Sequence, residues 1–444
     1  MSTVRRTFAV RIAVCCLATL VAGGPTRARG SDDDVAEWAK AHVGELVELY
    51  RHFHQTPELS LHEEQTAARM AGEMKALGIE VTPKVGGHGV VGVLKNGAGT
   101  TLMLRTDMDA LPVVEQTGLV YASKVTVPDE SGMPTGVMHA CAHDIHMTNL
   151  IGVARYLATH KECWSGTVIF VCQPAEEKGE GAKSMLDAGL FTRFARPDYA
   201  VALHVDSTLP TGCVGYRAGY SLANVDSVDI TVKGRGGHGA YPHTTIDPIV
   251  QAARLILDLQ TIVSREIDPI NPAVVTVGSI HGGAKHNVIA DTCHLQLTVR
   301  SYKDEVRQQI MRAIRRKAEA AADAAGAPAP EVEFSEGTPA VHNDPELAER
   351  VAEAFRRALG ADKVIPSEPS MGGEDFSRYG LAGVPAFMYR LGSVDAKRLE
   401  GYARVGQPAP SLHSGVYYPD AEPTLVTGIV SMVSAVRELM PPAR

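Results

Sequence analysis

Gly166-Thr167-Val168-Ile169-Phe170-Val171-Cys172-Gln173-Pro174-Ala175-Glu176-Glu177 decides the fold. Residues 166–172 form a continuous apolar run, the pattern of a strand buried on both faces within a parallel sheet. Directly after it come a carboxylate pair and a glycine-rich turn at Gly179 and Gly181. Open α/β sheets place their ligands past the ends of such strands. Tyr199–Val205 is a similar run and contains His204, and Val90–Lys95 and Thr101–Arg105 are shorter β-rich runs. Helical periodicity covers Val35–His54, Glu63–Leu77 with a cap at Gly78, and Asn149–His160. The texture is α/β.

From about Gly219 the pattern changes. Asp226–Lys233 alternates like a half-buried strand, Asp247–Ser264 reads as a helix, and Ala273–Ile280 and Thr292–Arg300 read as strands. Asp304–Ala324 is then a long alanine-rich helix and Glu331–Phe334 a short strand, with Ala325–Pro330 as the turn between them. The order β-α-β-β-α-β is that of a ferredoxin-like unit. Beyond Pro339 the α/β texture returns, with a helix at Glu346–Leu359 and a strand at Ala386–Leu391. The expected architecture is a two-domain αβα sandwich, residues 31–218 and 337–444, interrupted by an α+β lid at 219–336.

A length of 444 residues suits two domains, since single cores stop growing near ~250–300 residues. With 43 basic against 51 acidic residues the net charge is -8, and no basic tract exceeds Arg315-Arg316-Lys317. That balance argues against nucleic acid as a partner. Arg5 and Arg6 precede an apolar run, Phe8–Ala22, which is broken by Arg11 and ends at Gly23-Gly24-Pro25. Residues 1–30 therefore read as an export signal, too short for the ~20 residues of a bilayer span. The expectation is a periplasmic or secreted protein with no stable membrane partner once the signal is removed. Of 7 cysteines, Cys15 and Cys16 would leave with it; the remaining five cannot all pair, and Cys172 reads as a plain buried thiol.

Cys141 differs by its neighbours. In His139-Ala140-Cys141-Ala142-His143-Asp144, Cys141 and His143 are one residue apart, so a tight loop or extended segment lets both hold one ion. Thiolate and imidazole suit Zn, Mn or Co. Of the pair Glu176 and Glu177, one can ligate while the other faces an activated water, which is a hydrolytic arrangement. Cys141, His143, Glu177, His204 and His413 give five ligand-type side chains, enough for two ions with Cys141 or Glu177 between them. Asp107 and Asp109 end a strand, where they form a turn before Pro112 or orient a ligating histidine through its distal nitrogen. In the lid, Gly234–Pro242 carries His238 on a glycine-rich loop that suits a structural turn or close approach to a ligand. Asn287 and Arg300 are candidates for holding an oxyanion or a substrate carboxylate.

The stretches Arg105–Pro112, His139–Asp144, Gln173–Glu177, Ala202–His204, Gly234–Pro242, His286–Ile289 and Met371–Phe376 occur in an order that resembles a known family. It is that of the metal-dependent amidohydrolases, including hippurate hydrolases, N-acyl-L-amino acid amidohydrolases and plant indole-acetyl-amino acid hydrolases, within the aminoacylase and carboxypeptidase superfamily. The resemblance implies two divalent ions (Zn, Mn or Co) on Cys141, His143, Glu177, His204 and His413, with Glu176 as general base. It also implies that His238, supplied by the same chain or by the lid of a homodimer partner, stabilises the oxyanion. Asn287 and Arg300 then contact an N-acyl amino acid substrate. Rival readings within the resemblance are a dipeptidase or carboxypeptidase, or an inactive metal- and ligand-binding relative. The chain departs from the family pattern at Ala142, where glycine is usual, and at Ala290, where proline is usual. Ala142 lies between two ligands, so a backbone conformation reserved for glycine would be strained there.

Overall fold

In the computed structural model, which describes residues 32–128 and 132–443, the apolar run forms strand Gly166–Gln173. The expected export signal lies outside the described residues. This strand pairs in parallel with Thr101–Asp107 and antiparallel with Val90–Asn96. Its side chains alternate between two cores. Val168, Phe170 and Cys172 face a layer that includes Leu46, Ile151 and Ile429, and Ile169 and Val171 face Met185, Phe376 and Tyr379. Coverage on both faces is why the run is uninterrupted.

The full sheet has eight strands in the order Glu80–Pro83, Val90–Asn96, Gly166–Gln173, Thr101–Asp107, Tyr199–Pro210, Ala386–Val394, Val214–Tyr216 and Val364–Pro366. Ala386–Val394, which follows the inserted unit in the chain, lies parallel to Tyr199–Pro210, with Arg390 opposite His204. The segments on either side of the insertion therefore build one sheet. The insertion has its own four-stranded sheet in the order Ala273–Gly282, Thr292–Ser301, Asn224–Lys233, Glu331–Glu336, every neighbour antiparallel. Helices Pro248–Thr261 and Asp304–Ala325 cover one face and close a separate core of Val228, Ile230, Leu255, Leu259, Ile310 and Ile314. The other face carries Asp229, Thr231, His294, Gln296 and Arg300 and stays polar.

Several elements differ from the sequence reading. The helix expected from Asn149 starts at His143, which puts a candidate ligand in its first turn. Nearly all of this helix is buried, so it lacks the polar stripe that marks a helix start in sequence. The strand expected to stop at Val205 runs to Pro210, and His204 therefore lies within it. The C-terminal helix Ala421–Leu439 has no counterpart in the sequence reading, because it too is buried around most of its circumference. Among the described residues no helix is long and apolar enough to cross a membrane, and Cys141, Cys163, Cys172, Cys213 and Cys293 are all buried and free.

Candidate metal centre

Cys141 and His143 meet in a tight loop. Between them Ala142 has φ 57° and ψ 37°, left-handed, and serves as N-cap of the helix that opens with His143. The ring of His143 is fully buried, and its Nδ1–H donates to the backbone carbonyl of Asp109 at 2.8 Å. That bond fixes the tautomer and aims the Nε2 lone pair inward. His204 is held alike: its Nδ1–H donates to the carbonyl of Val205 at 2.8 Å, and its Nε2 lies 3.5 Å from the sulfur of Cys141.

The glutamates reach the same point from the end of strand Gly166–Gln173. A regular strand would send Glu176 and Glu177 to opposite sides, but Ala175 has φ 49° and turns the chain. Glu176 Oε2 and Glu177 Oε1 consequently lie 4.0 and 3.9 Å from His143 Nε2. His413, with φ 66° and its N–H donating to the carbonyl of Ala140, places Nε2 3.4 Å from Glu177 Oε1. The cluster thus contains two trios, Cys141/His143/His204 and Cys141/Glu177/His413, which share the thiol.

The donor set fits metal ions. Among the described residues His143 Nε2 and Glu177 Oε1 are buried and find no hydrogen-bond partner, a costly arrangement unless a cation completes it. Two ligand atoms each ~2.0–2.3 Å from one ion lie at most ~4.6 Å apart, and the separations above are within that limit. Electrostatics favour the neutral, ligating form at His204 but not at His143 or His413 before a cation binds. At His143 burial is outweighed by Asp107, which raises the pKa, and Cys141 and Glu177 raise that of His413 to about 10. Burial, with His146 and Arg390 nearby, holds His204 well below the usual imidazole range, in its ligating neutral form. Burial and the Glu177 carboxylate push the Cys141 thiol up, so a neighbouring cation is what would make it a thiolate. Burial, then Glu374 and Glu177, push the Glu176 carboxyl well above the ordinary carboxylate range. A raised carboxyl beside a metal cluster suits proton transfer.

Behind these groups lies a second layer that sequence reading reached only in part. Asp109 Oδ2 accepts the Glu177 N–H at 2.9 Å, and its Oδ1 is 3.3 Å from His143 Nδ1. Asp107 Oδ1 accepts from His146 Nδ1 at 2.7 Å, while His146 Nε2 accepts the Val205 N–H at 3.0 Å. With both nitrogens engaged, His146 holds the strands rather than a metal. Fully buried Arg105 donates to Asp107 at 2.7 Å and Glu374 at 2.9 Å, and its Nε donates to Gln173 at 3.0 Å. Glu374 and Asp375 in turn lie beside Glu176. The roles of His146, Arg105, Glu374 and Asp375 were missed in sequence, where the signals were the stretch Arg105–Pro112 for Arg105 and Met371–Phe376 for the two carboxylates.

The lid residues sit apart from this cluster. The contacts of His238 are with the lid: it pairs with Val288, and its Nδ1 accepts the Ala240 N–H at 3.0 Å, which leaves Nε2–H as an outward donor. Asn287 bonds through its carbonyl to the Gly239 N–H at 2.8 Å. Arg300 lies between Val225 and Val274 on the polar face of the lid sheet, its Nε donating to Thr298 Oγ1 at 3.1 Å. Among the described residues no carboxylate pairs with its guanidinium.

A family model described as peptidase family M20/M25/M40 matches residues 103–404. The chain is 37% identical to thermostable carboxypeptidase 2 of Saccharolobus solfataricus over 82% of its own length and 91% of that protein's. It is 37% identical to N-acetyl-L-cysteine deacetylase of Bacillus subtilis over 76% of its own length and 77% of that protein's. A solved Bacillus subtilis structure, described as a dinuclear metal-binding peptidase of the M20 family, superimposes with a TM-score of 0.73 at 31% identity. It covers 90% of this chain and 99% of its own.

Proposed function

The chain belongs to peptidase family M20/M25/M40, and from that membership we propose that it is a metal-dependent amidohydrolase cleaving the amide bond of N-acyl amino acids. The observation that carries this reading is the meeting of Glu176 and Glu177 with the unpartnered Nε2 of His143, at 4.0 and 3.9 Å. Two divalent ions (zinc, manganese or cobalt) on Cys141, His143, Glu177, His204 and His413 would supply Lewis acidity for the amide carbonyl and for a water. Glu176 takes a proton from the attacking water and returns it to the leaving amine. The Nε2–H of His238 donates to the oxygen on which negative charge develops. Arg300, whose guanidinium makes no salt bridge among the described residues, pairs with the substrate α-carboxylate, and Asn287 adds a polar contact.

Among the described residues the strand pairing, hydrogen bond and ring contact of His238 are with the lid, which supports a homodimer in which each lid serves the other copy's metal centre. The outer strand of the lid sheet, Ala273–Gly282, presents an open edge, and Val250, Leu257 and Ile280 are exposed near it. Open edges of this kind accept another strand. The leader supports export to the periplasm or medium.

A carboxypeptidase reading rests on the relative of that name and demands the same metals and the same Arg300. The two differ in whether a free α-amine is accepted. Turnover of benzoyl-glycine, N-acetyl-cysteine and an unblocked dipeptide by zinc- or manganese-loaded protein separates them. Preference for the acylated substrates supports the proposal; preference for the dipeptide replaces it with the peptidase reading.

A further inference from the structure

The long N-terminal helix Asp32–Gln55 runs into a short irregular segment that precedes everything the family match covers. Nothing from His54, in the last turn of that helix, to Glu63 offers a ligand to the metal centre, yet three polar side chains there are buried: His54, Ser60 and Glu63. Each reaches a different loop of the centre. His54 Nδ1 donates to Asp144 Oδ2 at 2.7 Å, next to His143. Ser60 Oγ donates to Asp109 Oδ2 at 2.7 Å, the carboxylate that also receives the Glu177 N–H and flanks His143 Nδ1. Glu63 Oε1 accepts the N–H of Ala175 at 2.7 Å, the left-handed residue that turns Glu176 and Glu177 together. His54 makes one further connection. Its Nε2 lies 3.2 Å from Glu115, and the next residue, Gln116, donates its N–H to the carbonyl of Gly415, two residues past His413.

The segment is itself fixed. The Ala110 N–H donates to the carbonyl of Glu58 at 2.8 Å, and Leu61 turns with φ 71° under a bond from the His62 N–H to the Leu59 carbonyl. One stretch of ten residues therefore reaches every loop that carries a ligand or the base, apart from the strand that holds His204.

We propose that His54–Glu63 is a positioning clip for the metal centre, in which Ser60 and Glu63 set the separation of His143, Glu176 and Glu177 through Asp109 and Ala175. These side chains touch neither substrate nor ion; they act by limiting the freedom of the loops that do. The inference rests on the metal-centre reading above. Groups behind metal ligands commonly change affinity or activity 10–100-fold when removed.

The test uses full-length apoprotein titrated with zinc against a chelating indicator, together with kcat and KM on an N-acyl amino acid. Ser60→Ala and Glu63→Ala are expected to weaken zinc binding roughly 10-fold or more and to lower kcat with little change in KM. Glu63→Gln keeps an oxygen to accept the Ala175 N–H and is expected to restore both quantities to within about threefold of wild type. Folded variants with zinc affinity and kcat within about twofold of wild type overturn the clip, as does a Glu63→Gln protein no better than Glu63→Ala. If Glu63→Ala fails to fold, Ser60→Ala, which removes one oxygen, decides. Wild-type protein that binds no zinc overturns the metal-centre reading instead.

Discussion

Ala142 sits in the left-handed region between Cys141 and His143, and two other non-glycine residues with positive φ, Ala175 and His413, lie in the same centre. Strain held in one place by its surroundings is common where side chains must converge on a ligand. For Ala142 the competing terms can be weighed. Its β-carbon costs about 1–2 kcal/mol in this conformation. Glycine would remove that cost, but it adds about 0.5–1 kcal/mol of unfolded-chain freedom and loses a buried methyl worth about 0.8 kcal/mol. The terms nearly cancel. Ala142→Gly is expected to change the urea-unfolding free energy by less than about 1 kcal/mol, whereas a loss of about 1.3 kcal/mol or more would show that Ala142 is unstrained. The side chains that meet in the cluster were legible in sequence, because thiol, imidazole and carboxylate are metal-binding chemistry. Arg105 was not, since its partner Glu374 is 269 residues away and only the fold brings them together.

Elements show why burial both reveals and hides structure. Strand Asn224–Lys233 alternates buried and open residues, and its sequence reads with period two. Helix Ala421–Leu439 has almost no exposed face, so period 3.6 is absent and the helix went unread. Gly428 on that helix permits close packing: a β-carbon there would lie 2.5 Å from Asn149 Oδ1 and 3.0 Å from Leu391 Cδ2. Alanine would gain about 1 kcal/mol in helix propensity, but overpacking costs about 1–3 kcal/mol and Asn149 is itself buried. Gly428→Ala is expected to lower the melting temperature; a rise would mean that the two helices yield freely. A second element-level effect is electrostatic. Burial alone would lower the His54 pKa, but hydrogen bonds to Asp144 and Glu115 outweigh it and raise it to about 9. Since the folded value lies above the unfolded one of ~6.5, this stabilisation is complete below pH ~6.5 and is lost as pH rises through about 9. Its ceiling is about 3 kcal/mol. Unfolding free energies measured from pH 6 to 9.5 should therefore fall less steeply for His54→Gln than for wild type, and equal slopes would contradict the assignment.

For the molecule as a whole, the α/β class and the ferredoxin-like insertion were legible because both are orders of elements along the chain. The return of Ala386–Val394 to the side of Tyr199–Pro210 was not, since pairing register across an insertion leaves no trace in local sequence. Nor could sequence place His238 relative to the metals; its contacts within one chain are with the lid. On the proposed reading the ligands and the base lie in the domain of the eight-stranded sheet, and the oxyanion donor and carboxylate-binding arginine lie in the lid. The most direct measurement is hydrolysis of an N-acyl amino acid by metal-reloaded wild type and Glu176→Gln, with metal content determined on the same samples. The account predicts equal metal loading and a kcat lowered about 10²–10⁴-fold in the variant. A Glu176→Gln protein that keeps its metals and turns over within a few-fold of wild type would contradict it.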